Sequence, residues 1–506
     1  MGVVRRGGAG LLLLGSLAWR YVACTVLDRV WPRAAQAWRR RIHARGAPAF
    51  AAYARRHGAL MIKLGQYIAS RPDFFPLPYV EACAALRDQA PARSFAAMRP
   101  TLERAYEGRI ADHLSWIDET PLASASFGQV HRARTRDGQT VAVKIQYPDL
   151  GPAVAMDLRL VRLALAVFQW LYPTWPLHLL GEEVARTSRE EQDYLHEGLV
   201  ADRLRPVLAK RGLRAPLVLW PHTREKVLVM EFAPGLTLAN CDIASLDPGE
   251  RRRIVDRIID AWLDMLTGEG LVHGDPHAGN VLRSDDGTVW ILDFGMTVEI
   301  GPAERSAYRR FLASLARDDV DGMVEALVRI GVVVPGTDKA ALRQLAQEIY
   351  SGLGQLDPRT FKGSRREAEL AGKVWSFLSS CRGLVFPRHT VVLSRGLGLV
   401  EGLCGDLVPG SNLLMLAKSR LSDLASPWAA IKDATIVWGD WLKQVRRLPE
   451  RIESALAPRR EGVGLGAVLC AILLLAALQL EPGSGRTAAA LCAGAALLVA
   501  VLRRGA

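Results

Sequence analysis

Residues 273–280 read His-Gly-Asp-Pro-His-Ala-Gly-Asn, and residues 293–295 read Asp-Phe-Gly. Asp275 and Asn280 lie five residues apart, and Asp293 follows Asn280 by thirteen. Upstream, Val-Ala-Val-Lys ends at Lys144, on a stretch where Val141, Val143 and Ile145 alternate with other residues. Each piece has a bland reading: His-Gly-Asp as a turn, Asn280 as a loop cap, Lys144 as the solvated residue of a half-buried strand. Asp-Phe-Gly alone carries no information. The joint set is different. An ammonium, a carboxamide and two carboxylates in this order are groups that would gather round a metal-bound polyphosphate.

Working outward, the order and gaps resemble those of protein kinases: a catalytic loop H-R-D-x-x-x-x-N followed by the metal-binding D-F-G. That resemblance implies Mg-ATP as the cofactor pair. Asp275 would orient the accepting hydroxyl or water and take its proton, while Asn280 and Asp293 would hold Mg2+. Lys144 would meet the α- and β-phosphates. Residues 116–145 read as three strands of a small antiparallel sheet, with Asp137-Gly138 as a hairpin turn. The glycine-rich loop of kinases falls in register on Ala123, Ser124, Ala125, Ser126, Phe127, Gly128, Gln129 and Val130. The first two glycines have become alanines, which crowd the backbone approach to phosphate. The hydroxyls of Ser124 and Ser126 offer some compensation. Val227–Phe232 reads as the last strand of a small lobe, with the backbone of Met230, Glu231 and Phe232 facing adenine. A helix from about Pro248 to Glu269 leads to the catalytic loop.

Lys144 needs a carboxylate partner from a helix. Glu191, Asp193 and Glu197 all stand in the acidic run 182–197, and spacing alone does not choose among them. Two departures from the kinase pattern matter. Gly274 replaces the arginine of H-R-D, so no guanidinium there can grip a phosphorylated activation loop. No A-P-E follows Asp293 within forty residues, which removes a segment that helps to seat peptide substrates. His277 stands where such kinases often carry a lysine near the γ-phosphate, and could partly replace it.

These departures resemble the UbiB/AarF-type atypical kinases, which include bacterial and mitochondrial ubiquinone-biosynthesis proteins. The stretch that carries the resemblance is KLGQYIASRPDFFPLPYVEACAALRDQAP (63–91), similar to that family's K-x-G-Q extension. The alanine-rich loop, the E-x-D stretch at Glu191–Asp193, and HGDPHAGN with DFGM fit as well, with a weaker echo at 394–409. The resemblance implies Glu197 as the partner of Lys144. It implies that Lys63 and Gln66 fold over the active site, where Lys63 meets the E-x-D acids and closes the peptide groove. It also implies an isoprenoid-quinone precursor or membrane lipid as ligand, with other quinone-biosynthesis proteins as possible partners.

The 506-residue chain has a formal net charge of +13, with arginines clustered near both termini. Nucleic acid or an anionic membrane face would suit such charge; the neighbouring apolar segments favour the membrane. Seven dispersed cysteines without a CxxC grouping argue against a disulfide framework or zinc site. Residues 463–480 form an uncharged run of eighteen, a second run covers 487–502, and Pro482-Gly483 lies between them. Eighteen residues span roughly 27 Å, close to a bilayer core of about 30 Å. The two runs read as a transmembrane hairpin. Arginines at its open end place the catalytic part in the cytoplasm, on the bacterial inner membrane. At the N-terminus, Ala9–Trp19 reads as an apolar interfacial or core-packing helix continuing to about Arg45.

The expected fold is α+β: a bilobal kinase-like domain with an N-terminal helical extension and a C-terminal membrane hairpin. Its divisions are 1–45 (membrane-proximal helix), 46–115 (K-x-G-Q extension), 116–235 (small lobe), 236–410 (large lobe), 411–460 (helical linker) and 463–502 (hairpin). The expected activity is slow ATP hydrolysis or phosphotransfer coupled to isoprenoid-lipid handling. The alternatives are a small-molecule or lipid kinase and a non-catalytic nucleotide- or lipid-binding scaffold.

Overall fold

The computed structural model describes residues 3–69, 75–86, 92–171, 177–333, 337–354 and 387–411, with scattered positions to 421. The expected hairpin at 463–502 and most of the 411–460 linker lie outside the described residues.

The chain opens with α1 (Val3–Asp28) and α2 (Pro32–His57), then α3 (Leu60–Ala69), α4 (Leu77–Ala84), α5 (Phe95–Ala105) and the short α6 (Ile110–His113). The single helix expected to run to Arg45 is therefore two. Pro32 sits in the first turn of α2, where its missing N–H costs nothing and its fixed φ starts a new helix. The boundary drawn at 45/46 falls inside α2. Among the described residues, α1 alone is long and apolar enough to cross a membrane. Core helices pass the same test, and α1 packs Leu17, Tyr21 and Cys24 against Ala35 and Ile42 of α2.

A buried arginine ties this region down. Arg6 Nε donates to Asp157 Oδ1 at 2.7 Å, while its Nη1 and Nη2 donate to His57 O and Gly58 O at 2.6 and 3.1 Å. The turn so held contains Gly58 at φ +65° and leads directly into α3, which carries Lys63 and Gln66.

The small lobe is an antiparallel sheet. Its strands β1 (Leu114–Ser124), β2 (Gly128–Thr135) and β3 (Thr140–Gln146) are joined, after β4 (Leu213–Arg214), by β5 (Val227–Glu231), in the order β1-β2-β3-β5. The Asp137-Gly138 turn forms as expected, Gly138 taking φ +88°. Strand alternation decides the faces of β3. Val141, Val143 and Ile145 are fully buried with Met98 and Leu102 of α5, so Lys144 projects from the opposite face.

Between β3 and the next kinase-like element the chain inserts α7 (Leu150–Leu171) and α8 (Leu177–Glu190). Then comes α9 (Tyr194–Lys210), whose N-terminus is capped by Asp193 accepting from His196 N at 2.9 Å.

The larger lobe begins with β6 (Leu236–Thr237) and α10 (Pro248–Asp264), capped by Asp247 and continued by a π turn, Met265–Glu269. This matches the expected helical span and ends on Gly270 at φ +73°. The strands β7 (Leu271–His273), β8 (Val281–Arg283), β9 (Val289–Ile291) and β10 (Thr297–Glu299) follow. After them come α11 (Pro302–Ala316), α12 (Val320–Ile330), α13 (Lys339–Gly354) and α14 (Arg388–Leu407). The larger core gathers Ile254, Ile258 and Trp262 of α10 with Val272, Phe294, Val400 and Leu403. One boundary needs correction. β4 lies in the stretch 116–235 but pairs in parallel with β9, in the sheet β4-β9-β8-β6. The small lobe is thus not one uninterrupted segment.

Candidate active site

Hairpin arithmetic brings Asn280 and Asp293 together. β8 and β9 pair Val281 with Ile291, so Asn280 stands opposite Leu292, and Leu292 N donates to Asn280 O at 3.0 Å. Asp293 is the next residue, so the thirteen-residue gap is two short strands and their turn. β7 and β10 close the other side, pairing His273 with Thr297. His273 is buried, and burial holds its imidazole below the ordinary value. As the neutral ring it accepts from Asp275 N at Nδ1 (3.1 Å) and, through Nε2, bonds the backbone O of Asp293. One ring thereby joins the loop 273–280 to the Asp-Phe-Gly segment. Asn280 Nδ2 donates to Asp275 O at 3.1 Å.

Lys144 reaches this cluster from β3. Its Nζ donates to both oxygens of Glu197, at 2.7 and 2.8 Å, and lies 3.5 Å from Asp293 Oδ2. Glu197 is therefore the partner that spacing left open. The ammonium also lies 5.1 Å from the ring centroid of the buried Tyr194, a neighbour the sequence reading missed. Burial disfavours the Lys144 cation, but the Asp293 and Glu197 carboxylates outweigh it and hold its pKa above the ordinary value. Burial pushes Glu197 up to about 7, only partly offset by Lys144. Asp293 is pulled below its ordinary value, against burial, by Lys144 and by the Gly295 N–H that donates to Oδ1 at 2.8 Å.

The other two acids divide their roles. Glu191 pairs with Lys63 at 2.5 Å, both side chains largely covered. Asp193 is exposed and serves as the α9 cap, so Lys63 meets the glutamate of the E-x-D stretch and not both acids. Burial raises the Glu191 pKa, with Lys63 opposing. Gln66 donates from Nε2 to Leu86 O at 3.3 Å, on the chain just past α4. Asp275 receives a hydrogen bond from Arg395 Nη2 at Oδ1, 2.8 Å away, from α14. Burial would raise the Asp275 pKa, but Arg395 and Lys63 bring it well below the usual carboxylate range. The sequence reading noticed the 394–409 stretch without finding this arginine.

The loop between β1 and β2 departs from expectation in one respect. A Cβ at Gly128 would stand 2.3 Å from Ile145 O and 2.5 Å from Tyr194 Oη, so glycine is required there by packing. Phe127 turns its ring into the small-lobe core, and the Ser124 hydroxyl lies 2.9 Å from Tyr147 Oη. Ser126 is buried, Ala125 N donates to Gly128 O at 2.8 Å, and Ala123 pairs with Val130 across the hairpin. At the hinge, Met230 is buried, Glu231 N donates to Leu217 O at 2.8 Å, and the Glu231 carboxylate takes Arg214 at 3.0 Å. Arg132 lies over the Phe232 ring, 4.8 Å from its centroid. Gly235, at φ +128°, then crosses so close to β8 that a Cβ would stand 2.2 Å from Arg283 O.

Asn280 Oδ1 accepts no hydrogen bond among the described residues, and the Asp293 side chain, 40% exposed, follows directly on Leu292, the residue paired with Asn280. Two hard oxygen donors suit Mg2+, which commonly takes one or two protein carboxylates and completes its shell with phosphates and water.

Residues 85–327 match the model of the ABC1 atypical kinase-like domain. An uncharacterized protein of Synechocystis is 32% identical over 79% of this chain and 69% of its own length. An uncharacterized aarF domain-containing protein kinase of Arabidopsis thaliana, chloroplastic, is 31% identical over 72% of each chain. Protein ACTIVITY OF BC1 COMPLEX KINASE 7, chloroplastic, also from Arabidopsis, is 30% identical over 72% of this chain. The chain spans about half the length of that last relative (53%). In structure it is similar to Rv3197 of Mycobacterium tuberculosis, solved with erythromycin, at a TM-score of 0.50 and 23% identity over 73% of this chain and 94% of that one.

Proposed function

The chain belongs to the ABC1 (UbiB/AarF-type) atypical kinase family, and on that premise we propose that it is a Mg-ATP-dependent ATPase or phosphotransferase. It acts at a membrane face, in support of ubiquinone or related isoprenoid-quinone synthesis. One observation carries the nucleotide half of this reading: Lys144, held by Glu197, points its ammonium at Asp293 within the same cluster that seats Asn280 and Asp275.

In this reading Lys144 binds the α- and β-phosphates, and Asn280 and Asp293 hold the magnesium ions. Magnesium, when bound, supplies charge to the transferring phosphoryl group. Asp275 orients the accepting water or hydroxyl. The hairpin segment 123–130 covers the phosphates and the backbone of 230–232 faces adenine. The Lys63–Glu191 pair forms a regulatory cover that disfavours peptide acceptors, in line with the closure the family implies, while Gln66 ties α3 to the chain past α4 and Asp193 caps α9 beside it.

The membrane half rests on separate support. Leu11, Leu12, Trp19, Val26, Val30 and Trp31 are exposed on α1 and the turn after it, near Arg20, Arg29 and Arg33. Apolar side chains beside arginines suit an anionic lipid surface, and the two apolar runs within 463–502 would anchor the chain further, with the catalytic part on the cytoplasmic side.

Purified full-length protein in detergent with a polyprenyl phenol, assayed for ATP turnover, tests the proposal. Turnover abolished by Asp293→Asn supports it. Nucleotide binding without turnover would make the protein a scaffold, and label transferred to the phenol would make it a lipid kinase. Quinone content after deletion of the gene tests the pathway.

A further inference from the structure

Gly274 immediately precedes Asp275, at a position where related loops carry arginine. The structure gives a steric reason for glycine. A Cβ at 274 would stand 2.5 Å from Val392 Cγ1 and 3.3 Å from Met296 Cγ. Gly396 faces the same loop from α14: a Cβ there would lie 3.3 Å from His273 O and 3.5 Å from the Cα of Gly274. Two glycines, one on each element, let helix and loop approach backbone to backbone.

Between Val392 and Gly396, α14 presents Arg395, whose Nη2 donates to Asp275 Oδ1 at 2.8 Å. Both side chains are mostly covered, at 22% and 15% exposure, so neither charge is well solvated without the other. Arg388, seven residues earlier and hence two turns back on the same face, pairs with Glu190 at the end of α8. The helix is thus fixed by charge at two points along one face, with Val392 between them against the catalytic loop.

We propose that Arg395 is the positioning residue for Asp275: α14 acts as a built-in strap, which packs Val392 on Gly274 and brings a guanidinium to Asp275 from outside the loop. One carboxylate oxygen is held, and the other stays free for the acceptor. The alignment needs no phosphorylated activation segment, because the cation is part of a packed helix. This inference rests on the reading of Asp275 as the acceptor-orienting group.

The test has two arms, both on the full-length chain. With Mg-ATP as probe, Arg395→Gln should lower kcat by about 100-fold, the cost of a small misplacement at a reacting centre, with KM for ATP nearly unchanged. Arg395→Lys should restore part of the rate, and added methylguanidinium should partly rescue Arg395→Ala but not Asp275→Asn. Wild-type kcat in Arg395→Gln, or a loss confined to KM, overturns the proposal. The second arm needs no turnover. A thermal double-mutant cycle of Arg395→Gln with Asp275→Asn should show non-additive Tm shifts, and Gly274→Ala should lower Tm with partial recovery in Gly274→Ala/Val392→Ala. Additive shifts overturn the proposal even where turnover is absent. A coupled cycle in a protein that does not hydrolyse ATP upholds the strap and places the failure on the functional reading above.

Discussion

The two sides of the candidate site are built differently. On the nucleotide side, Lys144 is neutralised by Glu197 and Asp293, all within the segment that matches the kinase-like domain. On the acceptor side, both cations come from outside it. Lys63 arrives on α3 and pairs with Glu191, and Arg395 arrives on α14 and pairs with Asp275. The Lys144 half, which we propose binds phosphate, is self-contained; the Asp275 half takes its cations from flanking helices. Under the proposed function, such a division would let one phosphate-binding arrangement be fitted to different acceptors by changing only the surround.

The largest effect should come from the self-contained half. Asp293→Asn is expected to lower ATP turnover by about 10³-fold or more, since it removes a charge aimed at the phosphates; a rate within a few-fold of wild type would break the comparison at its root. Glu197→Gln should follow. It leaves the Lys144 ammonium, 12% exposed, without its bidentate partner, at a cost to stability of about 3 kcal/mol in denaturant titration.

Gly128→Ala should cost roughly 1–3 kcal/mol by overpacking, because the added methyl meets the Ile145 carbonyl at 2.3 Å and that backbone belongs to β3. Lys63→Ala tests the acceptor half: nucleotide affinity should hold while phosphorylation of added protein acceptors rises. Equal loss on both sides would show that the halves are not separable. Smallest of all, Arg203→Ala breaks bridges to Glu269 and Glu299 at 45% exposure. Its cost should stay under about 1 kcal/mol, which calibrates the buried pairs against a surface one.

Much of the nucleotide side was legible. The order and spacing of Asp275, Asn280 and Asp293 are visible in the sequence; that the last gap is a hairpin, with Val281 paired to Ile291, is the structure's addition. The turn at Asp137-Gly138 and the strand that carries Lys144 followed from local chemistry. The acidic run 182–197 reads as one helical stretch, yet the structure divides it between α8 and α9; α7 has no counterpart in the sequence reading, since apolar periodicity marks a helix without saying what it packs against. The break between α1 and α2 was also missed, although Pro32 signals it.

The amino-acid sequence by itself determined which groups exist and which of them share an element, because spacing along a strand, hairpin or cap sets geometry over a few residues. The tertiary structure decided the partners that spacing left open. By spacing Glu197 was one acid of three; resemblance pointed to it, and α9 packed beside β3 makes the contact, 53 residues away. Asp193, close by in sequence, became a helix cap. Gly274 looked like a lost arginine until α14 was seen lying against it, with Arg395 reaching Asp275 across 120 residues. Side chains that far apart meet only when burial of the apolar faces between them sets the distance, and that burial is a property of the whole packed chain.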